Sequence, residues 1–511
     1  MHKKNEIKLG AILSYLQMAL NVIIGLLYTP AMIRLLGKSE YGLYNTITST
    51  ISMLSILSLG FNSSYIRYFA KYKEKQDTNA IYKLNGLFFL VFVVIGLVVL
   101  VCGLFLTFNL NLIFADGLTL HEYKTAKVLM ILATVNLSIS FPASVFGNII
   151  SAYEKFVFYK SIGMIRTVVK PLVTLPILLM GYRSIAMMVV GLLIGILVDF
   201  IYLIYIKSVL KNKFIFHGFE KGLFKSLLIY TSFIAINTIV NEINNSIDKV
   251  ILARFRGTEE VAICAVAYTI YQYYMMFSTA ISGVFTPRIH TVINETKSDL
   301  LLQKERLTGI FIRVGRVQFL ILALISSGFL FFGKSFIYYW AGEGYEEAYY
   351  VILILMFAVT VPLIQNIGIE VQRAQNQHQF RSIVYLIIAI MNLVVSIFLA
   401  RKYGVIGCAI GTAASLVIGN GIIMNIYYHK KCRIDILSFW KSILRLLIGL
   451  SVPVCVGVLI LLFVNLYNIW IMLLSILLYM VVYCVSMWFL GMNREEKLLA
   501  ANFFAKILKR K

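Results

Sequence analysis

Long apolar segments separated by short polar stretches fill most of this 511-residue chain. A helix needs about 20 apolar residues to span a membrane, and fourteen segments near that length are bounded by charged clusters. They lie near residues 9–33, 41–66, 84–108, 126–150, 157–180, 184–206, 223–253, 260–286, 308–333, 348–370, 382–400, 404–428, 442–464 and 467–490. The pattern predicts an all-α polytopic membrane protein with fourteen transmembrane helices. The longest connection, about 287–307, is expected to be amphipathic and cytoplasmic, and it is too short for a soluble catalytic domain.

Composition and charge agree with a membrane protein. Hydrophobic residues make up 60% of the chain and charged residues 14%, against roughly 45–50% and about 25% in soluble proteins. A net charge of +24 would suggest nucleic acid in a soluble protein, but Lys and Arg also collect in the cytoplasmic loops of membrane proteins. With the N-terminus inside, inner segments hold 31 of them, outer segments 10 and spans 6. We therefore predict an uncleaved first helix, cytoplasmic termini and no nucleic-acid partner.

An internal repeat is visible when the chain is shifted by about 220 residues, which superimposes the first six predicted helices on the next six. Pro142 then meets Pro362, an informative match because the chain has only seven prolines. Further matches are Asn21 with Asn241, Arg34 with Arg254, Gly37 with Gly257, Glu40 with Glu260, and, at a slightly larger shift, Gly181 with Gly404. Six helices per half predict a pseudo-twofold axis along the membrane normal and a central cavity, the geometry of alternating access. The predicted parts are an N-lobe at 1–213 (helices 1–6), a C-lobe at 214–432 (helices 7–12) and a segment at 433–511 with helices 13 and 14 and a basic tail.

Polar side chains recur on one face of the predicted seventh helix. They are Asn237, Asn241, Asn244, Asn245 and Asp248, a spacing typical of a single helical face. Helices 1, 2 and 8 carry similar stripes, and the stripe on helix 1 includes Gln17 and Asn21. Polar groups in hydrocarbon are costly and usually face a cavity or one another. The stripes therefore predict either a shared hydrated cavity or a set of interhelical hydrogen bonds.

Two cations share a face of the predicted fifth helix. If that helix starts near Phe156, Arg166 and Lys170 lie about 15 and 21 Å from the inner surface. Buried cations need an anion, either an anionic substrate or an acidic side chain in the spans. The acidic candidates, which are also the candidates for ion coupling, are Asp199, Glu242, Asp248 and Glu370. Alternatively, the helix starts later and both side chains snorkel to the surface, which we also expect for Arg313 and Arg316.

Prolines interrupt two helices of the first half and one of the second. Pro142 and Pro362 lie in the fourth helix of each half, and Pro171 and Pro176 lie in the fifth helix of the first half. A proline removes a helical hydrogen bond and bends the helix. These positions are either hinges beside the cavity or passive kinks.

Motifs for catalysis, metals and nucleotides are weak. The six cysteines form no CxxC, and the six histidines all lie in loops, tails or helix ends. Residues 328–335 match the letters of a P-loop, but they are Phe- and Leu-rich and close a predicted membrane helix. The pairs Gly191/Gly195 and Gly407/Gly411 are interpreted as helix-packing GxxxG motifs. We therefore expect no catalytic residue, no metal, no cofactor and no nucleotide.

Several stretches together resemble a known family. They are TPAMIRLLGKSEYGLY and SLGFNSSYIRYFAKY near the start, IDKVILARFRGTEEVAICAVAY in the middle, and AQNQHQFRSIVYLIIAIMNLVVSIFLARKYGVIGCAIGT at 374–412. This set is similar to the bacterial oligosaccharide (O-antigen, capsule and teichoic-type) flippases of the multidrug/oligosaccharidyl-lipid/polysaccharide exporter superfamily. Cys264 departs from the tyrosine that the resemblance leads us to expect. Fourteen helices suit the branch with two added C-terminal helices.

The resemblance implies a non-enzymatic transporter for cell-surface polysaccharide biosynthesis in the bacterial plasma membrane. It would move a polyprenyl-diphosphate-linked oligosaccharide from the inner to the outer leaflet, with membrane lipids and polysaccharide-assembly proteins as further partners. Charge-assisted donors suit a diphosphate, and amides suit sugar hydroxyls. The expected binding residues are Arg34, Arg166, Lys170 and Arg254 for the diphosphate, and Asn21, Asn241, Asn244 and Asn245 for the sugar.

Two alternatives stay open from the residues alone. A cation-coupled multidrug antiporter of the same superfamily would need an acidic group in its cavity, whereas the buried charge here is mainly basic. A membrane-embedded glycan polymerase or ligase would need a large outer loop with catalytic residues, and the predicted outer loops are short.

Overall fold

A computed structural model describes residues 2–58, 60–114, 118–219, 222–296, 298–375 and 377–508. These ranges are almost entirely helical and contain no strand. The helices are α1 (His2–Leu36), α2 (Lys38–Met53), α3 (Phe61–Glu74), α4 (Thr78–Phe108), α5 (Leu120–Ala152), α6 (Phe156–Leu179), α7 (Ser184–Ser208), α8 (Leu223–Phe255), α9 (Thr258–Glu295), α10 (Leu300–Ala341), α11 (Glu347–Leu363), α12 (Ile367–Ala374), α13 (His378–Leu416), α14 (Met424–Lys430), α15 (Ile436–Phe463), α16 (Ile469–Ser486) and α17 (Arg494–Leu508). All fourteen predicted segments are helical, so the predicted all-α polytopic class is confirmed.

Eleven of the described helical runs are long and apolar enough to cross a membrane. Fourteen spans were predicted, and the difference arises at the second, seventh, eleventh and twelfth. The second predicted span is divided at Gly60, which has a φ of 72°, into α2 and α3. The seventh, α8, is 33 residues long but carries the predicted polar stripe. The eleventh and twelfth form one continuous run that is interrupted at Gly404, where φ is 58° and ψ is −137°.

Two connections between predicted spans are partly helical. The connection at 67–83 is helical up to Glu74, and α9 continues to Glu295 through much of the amphipathic connection at 287–307. Hydropathy finds segments that suit lipid, whereas a helix can continue wherever one stripe is apolar. In α9 that stripe is Ile289, Val292 and Ile293, all buried.

The internal repeat has a structural counterpart. Glu40 Oε1 accepts hydrogen bonds from the backbone N–H of Ser184 at 2.9 Å and from its hydroxyl at 2.6 Å, at the start of α7. In the second half, Glu260 Oε2 accepts a bond of 2.8 Å from the N–H of Val405, directly after the interruption at Gly404. A carboxylate at a helix N-terminus satisfies free N–H groups and interacts favourably with the helix dipole. Each half therefore uses the start of its second helix to hold the start of its sixth.

Glycine backbone geometry repeats in the same way. Gly37 has a φ of 79° and Gly257 a φ of 91°, each just before the second helix of its half. Gly181 has a φ of 89°, and it matches Gly404, with a φ of 58°. These left-handed conformations favour glycine, because a Cβ atom would clash with the backbone. The glycine matches in the sequence therefore mark equivalent turns.

Residue contacts divide the chain into two compact units. The first is Met1–Ala265 with Tyr385–Cys408, and the second is Val266–Val384 with Ala409–Lys511. The division into lobes at 1–213 and 214–432 and a segment at 433–511 stays a prediction. The first unit has an aromatic core, in which Tyr65 and Phe88 are fully buried with ring centroids 5.2 Å apart.

Within the second unit, Arg316 is not placed as expected. Its guanidinium forms a two-pronged ion pair with Glu496, with Nε–Oε1 at 2.6 Å and Nη2–Oε2 at 2.9 Å. It also donates to the carbonyls of Ser442 at 2.7 Å and Gly491 at 3.0 Å. The snorkelling prediction for Arg316 is wrong because a carboxylate and two carbonyls provide an internal partner set. The pair fastens α15 and α17 to α10.

Candidate functional site

The first unit contains a polar cavity of about 500 Å³, bounded by α1, α3, α5, α6 and α7. Its wall is rich in amides, hydroxyls and charges, supplied by Gln17, Asn62, Asn136, Ser140, Ser144, Asn148, Tyr159, Lys160, Arg166, Thr167, Asp199 and Tyr202. Polar groups among membrane helices are costly unless they meet water, one another or a polar ligand. The cavity is therefore suited to a polar, hydrogen-bonding ligand.

The position of Arg166 follows from where α6 begins. The helix starts at Phe156, as predicted, so Arg166 lies ten residues inside it, about 15 Å from its start. Its side chain is exposed and lines the cavity. The neighbouring Ile165 is 55% exposed and does not line the cavity. The later helix start, on which the snorkelling alternative depended, is not observed.

Two glycines of α7 face the two cations of α6. A Cβ atom added at Gly195 would lie 3.9 Å from Nη2 of Arg166 and 3.8 Å from Oδ1 of Asn136. One added at Gly191 would lie 3.9 Å from Cε of Lys170. The GxxxG spacing of α7 thus matches the i, i+4 spacing of Arg166 and Lys170. These glycines leave space for long cationic side chains, a role beyond the packing motif that the sequence predicted.

The charge in the cavity is mainly positive. Lys160 and Arg166 line it together with one acid, Asp199, and Lys170 lies beside it. Arg166 and Asp199 interact electrostatically, but among the described residues no carboxylate oxygen lies within 4 Å of the Arg166 guanidinium. The guanidinium donors can therefore serve an anionic ligand.

Amide groups connect the helices around the cavity. Asn148 of α5 donates to Asn62 of α3 at 2.7 Å, and Thr167 of α6 donates to Asn21 of α1 at 3.0 Å. Gly163 lets α1 approach closely, because a Cβ atom there would lie 2.6 Å from the amide nitrogen of Gln17. Such amides can both donate to and accept from hydroxyl groups.

Several other predicted binding residues lie outside this cavity wall. Asn21 touches its edge through Thr167, and Lys170 lies next to Gly191. Arg254 donates to the carbonyls of Asn111 and Leu112 at 2.9 and 2.8 Å. The remaining ones are Arg34, exposed near the end of α1, and Asn241, Asn244 and Asn245 on α8, of which the first and last are exposed. The structure thus groups Arg166 with Lys170 and Asn21, and it does not place Arg34, Arg254 or the α8 asparagines in this wall.

The four acids have different surroundings. Asp199 lines the cavity. Glu242 of α8 lies against the hydroxyls of Ser55 and Ser246. Asp248 is buried, and Glu370 pairs with Arg373 at 2.8 Å. Ion coupling through any of them stays a prediction.

The prolines lie at two kinds of position. Pro142 is inside α5, and the Ser138 carbonyl that lacks its helical donor packs on Gly96 of α4. Pro171 and Pro176 are inside α6. Pro362 lies at the end of α11, where the chain turns towards α12. Whether they act as hinges stays a prediction.

One wall of the cavity has a periodic signal in the sequence. Asn136, Ser140, Ser144 and Asn148 recur every four residues along α5 and all line the cavity. The same periodicity argument that identified the stripe on helix 7 would have found them. Lys160, Tyr159 and Tyr202 had no such signal.

Beside the C-terminal end of α1, the starts of α2 and α9 are in contact. Ser39 and Thr258 hydroxyls are 3.1 Å apart, and Lys38 pairs with Glu259 at 3.6 Å. Gly42 is needed here, because a Cβ atom would overlap the Thr258 carbonyl. These contacts hold the second helix of each half together at this end.

Sequence comparison decides the family. A sequence model of the family described as "polysaccharide biosynthesis protein" matches residues 8–292, more than half of the chain. The chain belongs to the polysaccharide biosynthesis protein family. No curated protein matches its sequence.

Solved structures with similar folds add the architecture of this family member. A structure titled "Lipid II flippase MurJ, inward closed conformation" superposes with a TM-score of 0.71 at 18% identity, covering 94% of this chain and 97% of that one. An outward-facing multidrug resistance MATE family transporter of the MOP superfamily superposes with a TM-score of 0.58 at 12% identity, covering 84% of this chain and 96% of that one. The MATE multidrug transporter DinF-BH superposes with a TM-score of 0.57 at 14% identity, covering 83% of this chain and 94% of that one. The family member thus has many apolar helices long enough to cross a membrane and a fold shared with membrane transporters.

Proposed function

We propose that this transporter moves a polyprenyl-diphosphate-linked oligosaccharide from the inner to the outer leaflet of the bacterial plasma membrane, for cell-surface polysaccharide biosynthesis. Both termini face the cytoplasm in this proposal. The observation that carries it is the polar cavity of the first unit, which combines the Arg166 guanidinium with amides and hydroxyls.

The substrate head group needs such a cavity. Each unsatisfied polar group in hydrocarbon costs several kcal/mol, so an oligosaccharide diphosphate crosses a bilayer very slowly unaided. Arg166 and Lys160 donate to the diphosphate oxygens, and Lys170 adds positive charge behind them. The amides of Gln17, Asn136 and Asn148 replace the water lost by sugar hydroxyls.

The contact between α2 and α9 supports alternating access. In the proposed orientation these helix starts face outwards, so the pair Ser39–Thr258 and the close approach at Gly42 close the outer end. The substrate enters from the inner leaflet, and these contacts separate when the cavity opens outwards. In this proposal the sequence repeat provides the two similar lobes that alternating access needs.

Export of a diphosphate is favoured by an inside-negative potential, at roughly 2.3 kcal/mol per charge per 100 mV. This drive requires no nucleotide. If the membrane potential drives export, collapse of the potential should slow export. Unchanged export would show that the potential is not the driving force.

A cation-coupled multidrug antiporter is the second candidate, and Asp199 in the cavity is the observation that favours it. A cationic drug would bind this single carboxylate, whereas the lipid diphosphate would bind Lys160 and Arg166. Because the cationic side chains outnumber the acid, we favour the anionic substrate.

The experiment that tests the proposal removes the protein from its native bacterium. We expect the lipid-linked oligosaccharide to accumulate on the inner leaflet and surface glycan to disappear, and the wild-type chain to restore both. Asp199→Asn separates the two candidates, because it should abolish efflux by a drug antiporter while leaving a Lys160- and Arg166-dependent flippase largely active. Normal glycan display without the protein, with loss of drug resistance, would favour the antiporter.

A further inference from the structure

A second recess of the first unit, of about 670 Å³, plays no part in the proposed transport path. It lies where α4, α5 and α7 meet the segment that follows α7, and we name it the lysine recess. Its wall consists of Phe89, Phe146, Leu203, Lys207, Lys211, Asn212, Lys213, Phe214 and Phe216. None of these residues lines the polar cavity that contains Arg166.

The segment that completes the recess is firmly held. Asn85, fully buried in α4, donates to Oδ1 of Asn212 at 3.0 Å and to the carbonyl of Lys213 at 3.1 Å. The Ile215 N–H donates to the Tyr82 carbonyl at 3.1 Å. Gly86 is required below it, because a Cβ atom there would overlap the Ile215 carbonyl. The fold therefore fixes the backbone of the segment that carries Lys213 and Phe214.

The polar part of the recess is purely cationic. Lys207, Lys211 and Lys213 are all exposed. None of the nine described residues in the wall carries a carboxylate, and no ion pair joins the three lysines to another described residue. Each lysine near a membrane surface attracts anionic lipid, so this trio favours a negatively charged partner.

The apolar part of the recess extends along the helices. Lys207 is in the last turn of α7, whereas Phe89 lies eleven residues into α4, about 17 Å from the start of that helix. The Phe89 ring lies 6.1 Å from Phe146 and 5.9 Å from Phe214 between centroids. The lysines therefore lie in the last turn of α7 and just after it, and the phenyl rings lie at the depth of the acyl chains.

We propose that the lysine recess binds an anionic phospholipid of the surrounding membrane. The lipid phosphate lies on Lys207, Lys211 and Lys213, and an acyl chain packs on Phe89, Phe146, Phe214 and Phe216. Charge complementarity selects the anionic head group, and the depth of the phenyl rings selects a lipid over a soluble phosphate. This site is separate from the cavity, so it does not depend on the proposed substrate.

The test is titration calorimetry of the detergent-purified full chain with dioctanoyl-phosphatidylglycerol. We expect saturable binding that weakens about fivefold for each lysine removed, and on the order of 100-fold in Lys207→Gln/Lys211→Gln/Lys213→Gln. Phe216→Ala should weaken it less, on the order of tenfold or below. The matched control is Lys430→Gln/Lys431→Gln/Lys441→Gln, which removes the same charge from exposed positions of the second unit and should bind like the wild type.

Three further titrations distinguish the sources of phosphate. Dioctanoyl-phosphatidylcholine tests the need for net charge, inorganic phosphate tests the need for an acyl chain, and a short polyprenyl phosphate tests the substrate lipid. Weak binding of all three supports the proposal. Equal binding of phosphatidylcholine, equal or tighter binding of inorganic or polyprenyl phosphate, or an equal loss in the control variant would overturn it.

Discussion

Two arginines inside membrane helices show that the surroundings of a charged side chain decide its role. Arg316 of α10 is buried, with a carboxylate and two carbonyls on its guanidinium. Arg166 of α6 lines a cavity and has no ion-pair partner within 4 Å among the described residues. Loss of one partner of a buried ion pair leaves a costly unpaired charge in the fold, whereas an unpaired charge beside a cavity is available for a ligand. The same residue type thus serves structure in one unit and, in our proposal, transport in the other.

The largest expected effect comes from breaking the buried pair. Arg316→Ala leaves Glu496 as an uncompensated buried charge, so we expect a loss of about 3–5 kcal/mol in the free energy of unfolding. Thermal unfolding in detergent and the folded fraction by size exclusion measure it. The double variant Arg316→Met/Glu496→Leu should recover most of the loss; a double variant as unstable as the single one would show that the pair is not the cause.

Arg166→Ala should reduce transport and leave the stability of the protein nearly unchanged. No partner is left unpaired, so the unfolding temperature should stay near that of the wild type. Transport should fall about tenfold to 100-fold, the value of one or two charge-assisted hydrogen bonds. The rate of lipid-linked oligosaccharide export in complemented cells measures it. Lys124→Gln, an exposed cation at the start of α5, is the control, and an equal loss there would contradict a specific role for Arg166.

Filling the space beside Arg166 should have a smaller effect on transport. In Gly195→Leu the new side chain displaces the guanidinium, and we expect a loss of about tenfold. Gly195→Ala should be milder, because its Cβ meets Arg166 and Asn136 at ordinary contact distances of 3.9 and 3.8 Å. Gly283→Leu, with open space around it, is the control. Equal export by all three variants would show that the position of Arg166 does not matter.

The smallest effect is expected one turn from the buried pair. Arg313 lies 3.7 Å from Glu495, and both side chains are at least half exposed. Exposed pairs contribute little, so Arg313→Gln should change the free energy of unfolding by less than about 0.5 kcal/mol. Thermal unfolding of Arg313→Gln and Arg316→Ala, measured side by side, gives the difference in stability. Similar losses in the two variants would contradict the idea that burial decides how much each ion pair contributes.

Local patterns predicted much of the fold. Hydropathy identified all fourteen helical segments, and the start of α6 at Phe156 was predicted correctly. The repeat found with a 220-residue shift also corresponds to a repeated contact, because Glu40 and Glu260 accept hydrogen bonds from equivalent helix starts. These features depend on residues close in sequence or on internal symmetry, which a single sequence displays.

Partners distant in sequence could not be predicted in the same way. Glu496 lies 180 residues from Arg316, in a segment that charge alone marked as a basic tail. Arg254 donates to backbone carbonyls more than 140 residues away, and carbonyls have no sequence signal. The wall formed by Asn136, Ser140 and Ser144 is different, because its four-residue periodicity is visible in the sequence of α5.

The most direct test of the central claim is whether the substrate enters the cavity around Arg166. A photo-crosslinking amino acid at Ser140, on the cavity wall, can be compared in living cells with one at Ile165, which is 55% exposed outside it. The account predicts an adduct at position 140 that carries both diphosphate and sugar, and none at position 165. A sugar-bearing adduct at position 165 alone, or none at either position while export proceeds, would contradict it.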